Sequence, residues 1–503
     1  MSDAAVLIDG YLDNVLTVEQ HAELATWIKA SPENAHRFAS AAMLHDRLRN
    51  EMVISGERQG VGPPSRSAGD EFAGKNAEKV TRRANALPLA LVHSVDHGAL
   101  VLNHLNRRHF MSRSVSALAG TAAASFLPWG VASRTTAAAW DEAPVDPAKA
   151  DLIYRTRAPR NGEPRLEELV KDWITPTPQF YIRSHGANPK VVAEEFKVSI
   201  EGMVDKPVMF SIPELLEKFP KSSVTCTVSC AGIRRYEFIK IKEMKGVQWQ
   251  EGPIGNAVWS GVRLSDVLKA AGVSSDAKHV WFEGADQVVD GKATFPFGGS
   301  VPMSKLLEED EKLPGVLLAT HMNGQPLLAD HGFPLRTIVP GYIGARSVKW
   351  LQKIVVSDKP SPNHFIADVY KMVYSGTQVE IDETAPIYRY PVNAALCSAD
   401  HKDGKVDVKG YALPTGRKGC SISKVEVSPD GGKSWINATL GAQTGEFCWQ
   451  LWSATLTIMN PETEVCVRAT DSLGNTMPES VPWNPKGYLY NAWHRVPAKQ
   501  LLN

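Results

Sequence analysis

One short stretch gathers the strongest chemistry in the chain. Ser229-Cys230-Ala231-Gly232-Ile233-Arg234-Arg235 sets a single thiol in a turn of small residues beside two guanidinium groups. Nearby positive charge favours thiolate, the form that ligates metals. A soft thiolate suits a soft, redox-active metal. A lone cysteine is more commonly a small buried apolar residue. Here the flanking arginines would be costly to bury without anionic partners. The other cysteines are Cys226, Cys397, Cys420, Cys448 and Cys466, and none forms a Cys-x-x-Cys pair. Cys226 and Cys230 lack the two further soft ligands of a zinc site. The spacing also excludes covalent haem attachment and a disulfide-dense scaffold.

The elements around this stretch read as α+β from about residue 141 onward. Phe196–Gly202 alternates as a strand. Ser211-Ile212-Pro213-Glu214 starts a helix, with a serine cap, an early proline and an acidic first turn. From about residue 390 the pattern becomes all-β. Alternating runs at 405–413, 422–440 and 464–475 contain Asp-Gly-Gly and Leu-Gly-Asn turns. They predict an Ig-like β-sandwich of about a hundred residues. The expected domains are 141–385 for the chemistry and 386–503 for the sandwich.

The first 140 residues read differently. Residues 1–55 predict a small helical unit. Thr17 and Gln20 make a capping box, with Leu24, Trp27 and Ile28 at helical spacing. Ser31-Pro32 opens a second helix with Phe38, Ala41, Leu44 and Leu48 on one side. This unit resembles the cytoplasmic segment of FecR-like anti-sigma regulators; a helical pair without such a role is the other reading. Residues 56–104 read as a linker, rich in Gly, Ser, Arg and Glu over 56–86. In 105–140, Arg107-Arg108 precedes the apolar run 115–132 and then Ala137-Ala138-Ala139. That order resembles a twin-arginine export signal. It implies a periplasmic or exported protein, membrane-tethered if the signal stays uncleaved. Either translation starts downstream, or the helical unit stays behind in the cytoplasm.

Composition narrows the function classes. The chain has 503 residues, and Lys+Arg and Asp+Glu are both 55, so the formal net charge is zero. That length suggests roughly two to four domains. A neutral balance argues against nucleic-acid binding, which needs a basic face. No long uncharged apolar run predicts multiple membrane spans.

Val224–Phe238 resembles the molybdenum-binding signature of the sulfite oxidase family, usually Cys-Ala-Gly-Asn-Arg-Arg. Further segments agree in the family's order: 180–185, 258–268, 282–286, 322–351, 428–435 and 483–496. Together they run from about 175 to 497. The resemblance implies a molybdopterin-binding domain followed by an Ig-like dimerisation domain, hence a homodimer. It implies a molybdenum pyranopterin cofactor with a phosphate tail, and Cys230 as the metal ligand. Tyr181, Ile182, Arg183, Ser184 and His185 would line the pterin and metal. Asp286 resembles a pterin-binding carboxylate. His331 and Arg336 match phosphate-side contacts, and Ser347, Val348 and Lys349 the adjoining cofactor-binding strand. A dianionic phosphate needs cations and N–H donors, and arginine offers a bidentate fork.

Arg183, Arg235, Trp249, Tyr370 and Lys486 match the family's catalytic oxyanion pocket. The implied reaction is oxygen-atom transfer to sulfite, with electrons leaving singly. No His-Pro-Gly-Gly segment is present, so no haem is expected in this chain and a c-type cytochrome is the expected acceptor. Two departures touch the substrate. Ile233 stands where the signature has asparagine, and Lys486 where vertebrate-type sulfite oxidases carry arginine. Another reduced sulfur compound, sulfoxide or nitrate reduction, and a membrane-associated FecR-like regulator are the alternatives.

Overall fold

The computed structural model describes residues 151–502 and a few isolated positions between Leu24 and Phe38. Among the latter, Leu24 is buried, and Ser31 Oγ accepts the Asn34 amide at 3.1 Å, as a helix cap should. The linker at 56–104 and the twin-arginine segment at 105–140 lie outside the described residues. No described helix is long and apolar enough to cross a membrane.

Two five-stranded sheets build the first domain. One contains β6 (Lys221–Ser229), β7 (Ile254–Arg263), β10 (Leu317–Met322), β11 (Gln325–Pro326) and β12 (Arg336–Ile338). The other runs β5-β4-β13-β8-β9, with β4 at Lys197–Gly202, β5 at Val208–Ser211, β8 at His279–Asp290, β9 at Ala293–Pro302 and β13 at Leu351–Ser357. Only β13 and β4 pair in parallel within it; its other pairs are antiparallel. A small sheet joins β1 (Ile153–Arg157), β2 (Arg160–Glu163) and β3 (Ile182–Arg183).

Alternation decides which way these strands face. In β8 the burial alternates, placing Val280 and Phe282 inside with Ile354 and Val356 of β13 and Val198 and Ile200 of β4. Helix α1 (Ile212–Lys218) starts where the sequence says it should. Ser211 and Glu214 complete a reciprocal capping box.

The second domain is a sandwich of two four-stranded antiparallel sheets. One orders β14 (Asn393–Lys402), β15 (Lys405–Leu413), β19 (Gln450–Leu456) and β18 (Thr439–Leu440). Its partner orders β17 (Ile436–Asn437), β16 (Ile422–Ser428), β20 (Glu464–Asp471) and β21 (His494–Pro497). Val406 and Val408 pack in one core with Val425, Val427, Val465 and Val467. The predicted sandwich is therefore present.

Candidate cofactor and active site

Strand β6 aims the thiol. It pairs with β7 along its whole length, from Lys221 opposite Val262 to Ser229 opposite Ile254. Cys230 follows at once, and its amide donates to Pro253 O at 2.9 Å. The chain then turns tightly: Ile233 N donates to Cys230 O and Arg235 N to Gly232 O. Gly232 N points at the sulfur, 3.4 Å away. A Cβ at Gly232 would stand 2.7 Å from an Arg235 guanidinium nitrogen, so the glycine leaves room for that side chain where it lies.

The two arginines do not flank the thiol as the sequence suggested. Arg234 takes a left-handed conformation, φ 60°, and swings away from the cavity. Its guanidinium is fully buried against the sandwich. It donates to Asn393 Oδ1, Ala492 O and Trp493 O, and pairs with Glu237 at 2.7 Å. Arg235 donates to Val247 O at 2.8 Å and Gly487 O at 3.2 Å. Neither side chain hydrogen-bonds Sγ. Arg234 is a link between the domains.

Cys230 opens onto a cavity built from several segments. Tyr181 precedes β3, Arg183 ends it, and Ser184 and His185 follow in the loop after it. Asp286 comes from β8, and His331 and Arg336 from β12 and its approach. Ser347, Lys349 and Tyr370 complete the predicted set. Ile182 and Val348 face the core instead, at 0% and 1% exposure. Strand alternation explains Ile182, which lies between the outward Tyr181 and Arg183.

Arg183, Arg336 and Lys349 share the cavity wall with the carboxyl groups of Asp286 and Asp330. Lys349 Nζ donates to Ser184 Oγ at 2.8 Å and Asp330 O at 2.9 Å. Burial pulls its pKa down to about 7. Arg336 donates to His331 O and Ser347 O at 3.0 and 3.1 Å, and lies over the Trp259 ring. Burial lowers it to about 10, so it stays charged near neutrality. Arg183 donates to Asn161 Oδ1 and Ser184 O. All these acceptors are neutral oxygens. Asp286 is pushed up to about 6 by burial, against the pull of Lys349. Its Oδ1 has no hydrogen-bond partner among the described residues.

The other end of the cavity is aromatic. His185 Nε2 lies 2.9 Å from the Tyr370 hydroxyl. Its ring stacks on Phe297 at 4.4 Å and meets Phe365 at 4.5 Å. Burial, then Arg183, Lys349 and Arg235, hold its pKa well below the usual range, so the imidazole is neutral. Tyr370 stacks on Tyr488 at 5.1 Å, and Arg235 covers Tyr488. Arg235 thus forms a layer behind Tyr370. Lys486 reaches Asp368 O at 3.4 Å and Trp249 is fully buried in the apolar cluster that includes Tyr181 and Cys230. The structure does not put Arg235, Trp249 or Lys486 on the cavity wall.

Several residues of the site were not singled out from sequence. Asn161 Oδ1 accepts from both Arg183 and the Ser184 amide, fixing that segment to β2. Asp330 lines the cavity, pairs with Arg160 and accepts from Asn188 at 2.7 Å. Gly344 leaves room for the Tyr181 hydroxyl, which a Cβ would approach to 2.9 Å. Asp330 sat beside His331 inside a recognised block. Asn161 bonds Thr156 and Pro159 locally, but the cavity segment it holds lies more than twenty residues on.

These residues fit a molybdenum pyranopterin with a phosphate tail. Arg336 and Lys349, bonded only to neutral oxygens, offer charge to a dianionic phosphate. The orphaned Asp286 oxygen offers an acceptor to a heterocycle N–H. Cys230 offers the one cysteine thiol on the cavity wall.

The chain was compared with known proteins. Residues 185–365 match the family described as oxidoreductase molybdopterin binding domain. Residues 383–500 match the Mo-co oxidoreductase dimerisation domain. Sulfite oxidase of Arabidopsis thaliana is 36% identical over 378 residues, covering 70% of this chain and 94% of that protein. Mitochondrial sulfite oxidase of Drosophila melanogaster is 38% identical over 384 residues, which are 72% of this chain and 65% of that protein. The chain thus spans just under two-thirds of the length of the fly relative. In fold it resembles the sulfane dehydrogenase SoxCD of Paracoccus pantotrophus, with a TM-score of 0.59 and 23% identity, over 73% of this chain and 92% of that one. On this sequence likeness, and with a cavity suited to the cofactor, the chain belongs to the sulfite oxidase family of molybdopterin-binding oxidoreductases.

Proposed function

We propose that this protein oxidises sulfite to sulfate and passes the electrons to an external acceptor such as a c-type cytochrome. The balance is sulfite plus water giving sulfate, two protons and two electrons. The observation that carries the reading is the Cys230 thiol in one cavity with Arg183, Tyr370 and the cations Arg336 and Lys349. Cys230 would ligate the molybdenum. Arg336, Lys349 and Ser347 would hold the phosphate end, with His331 alongside. Asp286 would accept from the pterin. When bound, the cofactor supplies oxygen-atom transfer and stores the electrons.

The protein's own work is binding and orientation. Arg183 attracts the sulfite dianion and offers charge-assisted hydrogen bonds. Tyr370 donates its hydroxyl proton to a substrate oxygen while neutral His185 fixes its position. Arg235 and Lys486, one layer out, supply positive potential that draws the anion inward. The Phe297 and Phe365 rings beside His185 limit water there.

A second reading keeps the metal and changes the substrate to another reduced sulfur compound. Lys486 favours it: its ammonium offers a point charge and lacks the planar fork of arginine. The export signal and a homodimer through the sandwich complete the proposal. A folded protein with its cofactor inserted suits the twin-arginine route. The test is sulfite-dependent cytochrome reduction by the purified holoenzyme, run beside other reduced sulfur compounds. Sulfite turnover supports the first reading. Turnover confined to another compound supports the second. N-terminal sequencing of the mature protein reads the signal: a start near Trp140 supports cleavage.

A further inference from the structure

The segment that backs Arg235 carries more exposed bases than acids: Lys240, Lys242 and Lys245 against Glu243. Helix α2 (Arg235–Ile241) ends in an exposed stretch carrying Lys240, Lys242 and Lys245. None of these ammonium groups forms an ion pair among the described residues; Lys240 and Lys242 lie instead over the Tyr236 and Trp483 rings, at 4.4 and 4.8 Å. Lys240 sits in the last helical turn, where a cation also suits the helix dipole. Lys242 and Lys245 lie beyond the helix end and have no such local reason.

The patch also has an apolar centre. Ile241 is 62% exposed, and Trp483 lies under Lys242 with its indole N–H unpartnered among the described residues. A small anion needs charge alone. An apolar centre rimmed by cations is the anatomy of a protein-docking surface for an acidic partner.

The patch is close to the chemistry. Val247 O accepts from Arg235, and Met244 packs so near Gly487 that a Cβ there would lie 2.5 Å from its sulfur. Arg235 covers Tyr488, and Tyr488 stacks on Tyr370 at the cavity wall. A protein seated on Lys240–Lys245 would stand a few side chains from the cavity.

We infer that this collar docks the acidic face of a protein electron acceptor. The inference rests on the proposed export of electrons and names the chemistry of the partner. Opposite charge raises the encounter rate and makes it fall with ionic strength.

The test uses the holoenzyme and two c-type cytochromes, one acidic and one basic, with a small neutral quinone as control. At low ionic strength kcat/KM should be higher for the acidic cytochrome and should fall with added salt. The triple variant Lys240→Glu, Lys242→Glu, Lys245→Glu should lose roughly tenfold or more of that kcat/KM. Its KM for sulfite and its quinone turnover should not change. Equal rates for the two cytochromes, or an unaffected variant, would overturn the docking surface. Calorimetric binding of each cytochrome probes the same contact without turnover. No binding of the acidic cytochrome at low salt overturns the docking. Failure of sulfite to reduce the quinone overturns only the substrate.

Discussion

The Tyr370 hydroxyl lies 2.9 Å from His185 Nε2, joining the aromatic end of the cavity to the segment that carries Arg183. His185 is neutral and clamped between aromatic rings. It holds the hydroxyl without adding charge. If sulfite is the substrate as proposed, Tyr370→Phe removes one hydrogen bond to it. A bond of that kind contributes about 1.5–3 kcal/mol, so kcat/KM for sulfite should fall roughly 10–100-fold. Molybdenum content should not change. Unaltered steady-state kinetics would remove Tyr370 from the reaction.

Lys486 should act on affinity. Its ammonium makes one hydrogen bond, to a backbone carbonyl. Lys486→Arg should lower KM for sulfite, and Lys486→Ala should raise it, each by roughly two- to tenfold with kcat little changed. A change in kcat with KM constant would contradict this role.

Arg234 should act on stability. It is fully buried, paired with Glu237, and bonded to carbonyls of the sandwich. Arg234→Ala leaves a buried partner uncompensated, which costs about 3–5 kcal/mol. Urea unfolding should show the shift. An unchanged midpoint would mean that the link between the domains is weak.

Lys349 makes the cofactor-free chain sensitive to pH. Its folded pKa is pulled down from 10.5 to about 7. Across that window the unfolded chain binds more protons than the folded one, so stability rises with pH. Below about pH 7 the ammonium is charged in both states and this slope disappears. Lys349→Met should flatten the rise in urea midpoint between neutral and alkaline pH. A variant with the wild-type slope would assign the effect elsewhere.

Much of this was legible in the sequence because it is local. The Cys230 turn, the Ser211 cap and the alternation of the sandwich strands are each specified by neighbouring residues. The direction of Arg234 was not, because it depends on a sandwich whose contacting residues lie some 160 to 260 positions downstream. Asn161 was missed for the same reason. Ile182 alternates away from the cavity within β3, and Val348, in a 347–349 segment that the sequence predicts as strand and the structure leaves outside β12 and β13, points into the core. Arg235, Trp249 and Lys486 match the family's motifs, yet their distance from the cavity wall is a matter of packing.

The most direct measurement joins metal to turnover at Cys230. Wild-type protein and Cys230→Ser, purified from the same host, would be assayed for molybdenum and for sulfite-dependent cytochrome reduction. The wild type should carry stoichiometric molybdenum and turn over, and the variant should lose turnover. A wild type free of molybdenum, or a serine variant that still oxidises sulfite, would contradict the assignment of Cys230 as the metal ligand.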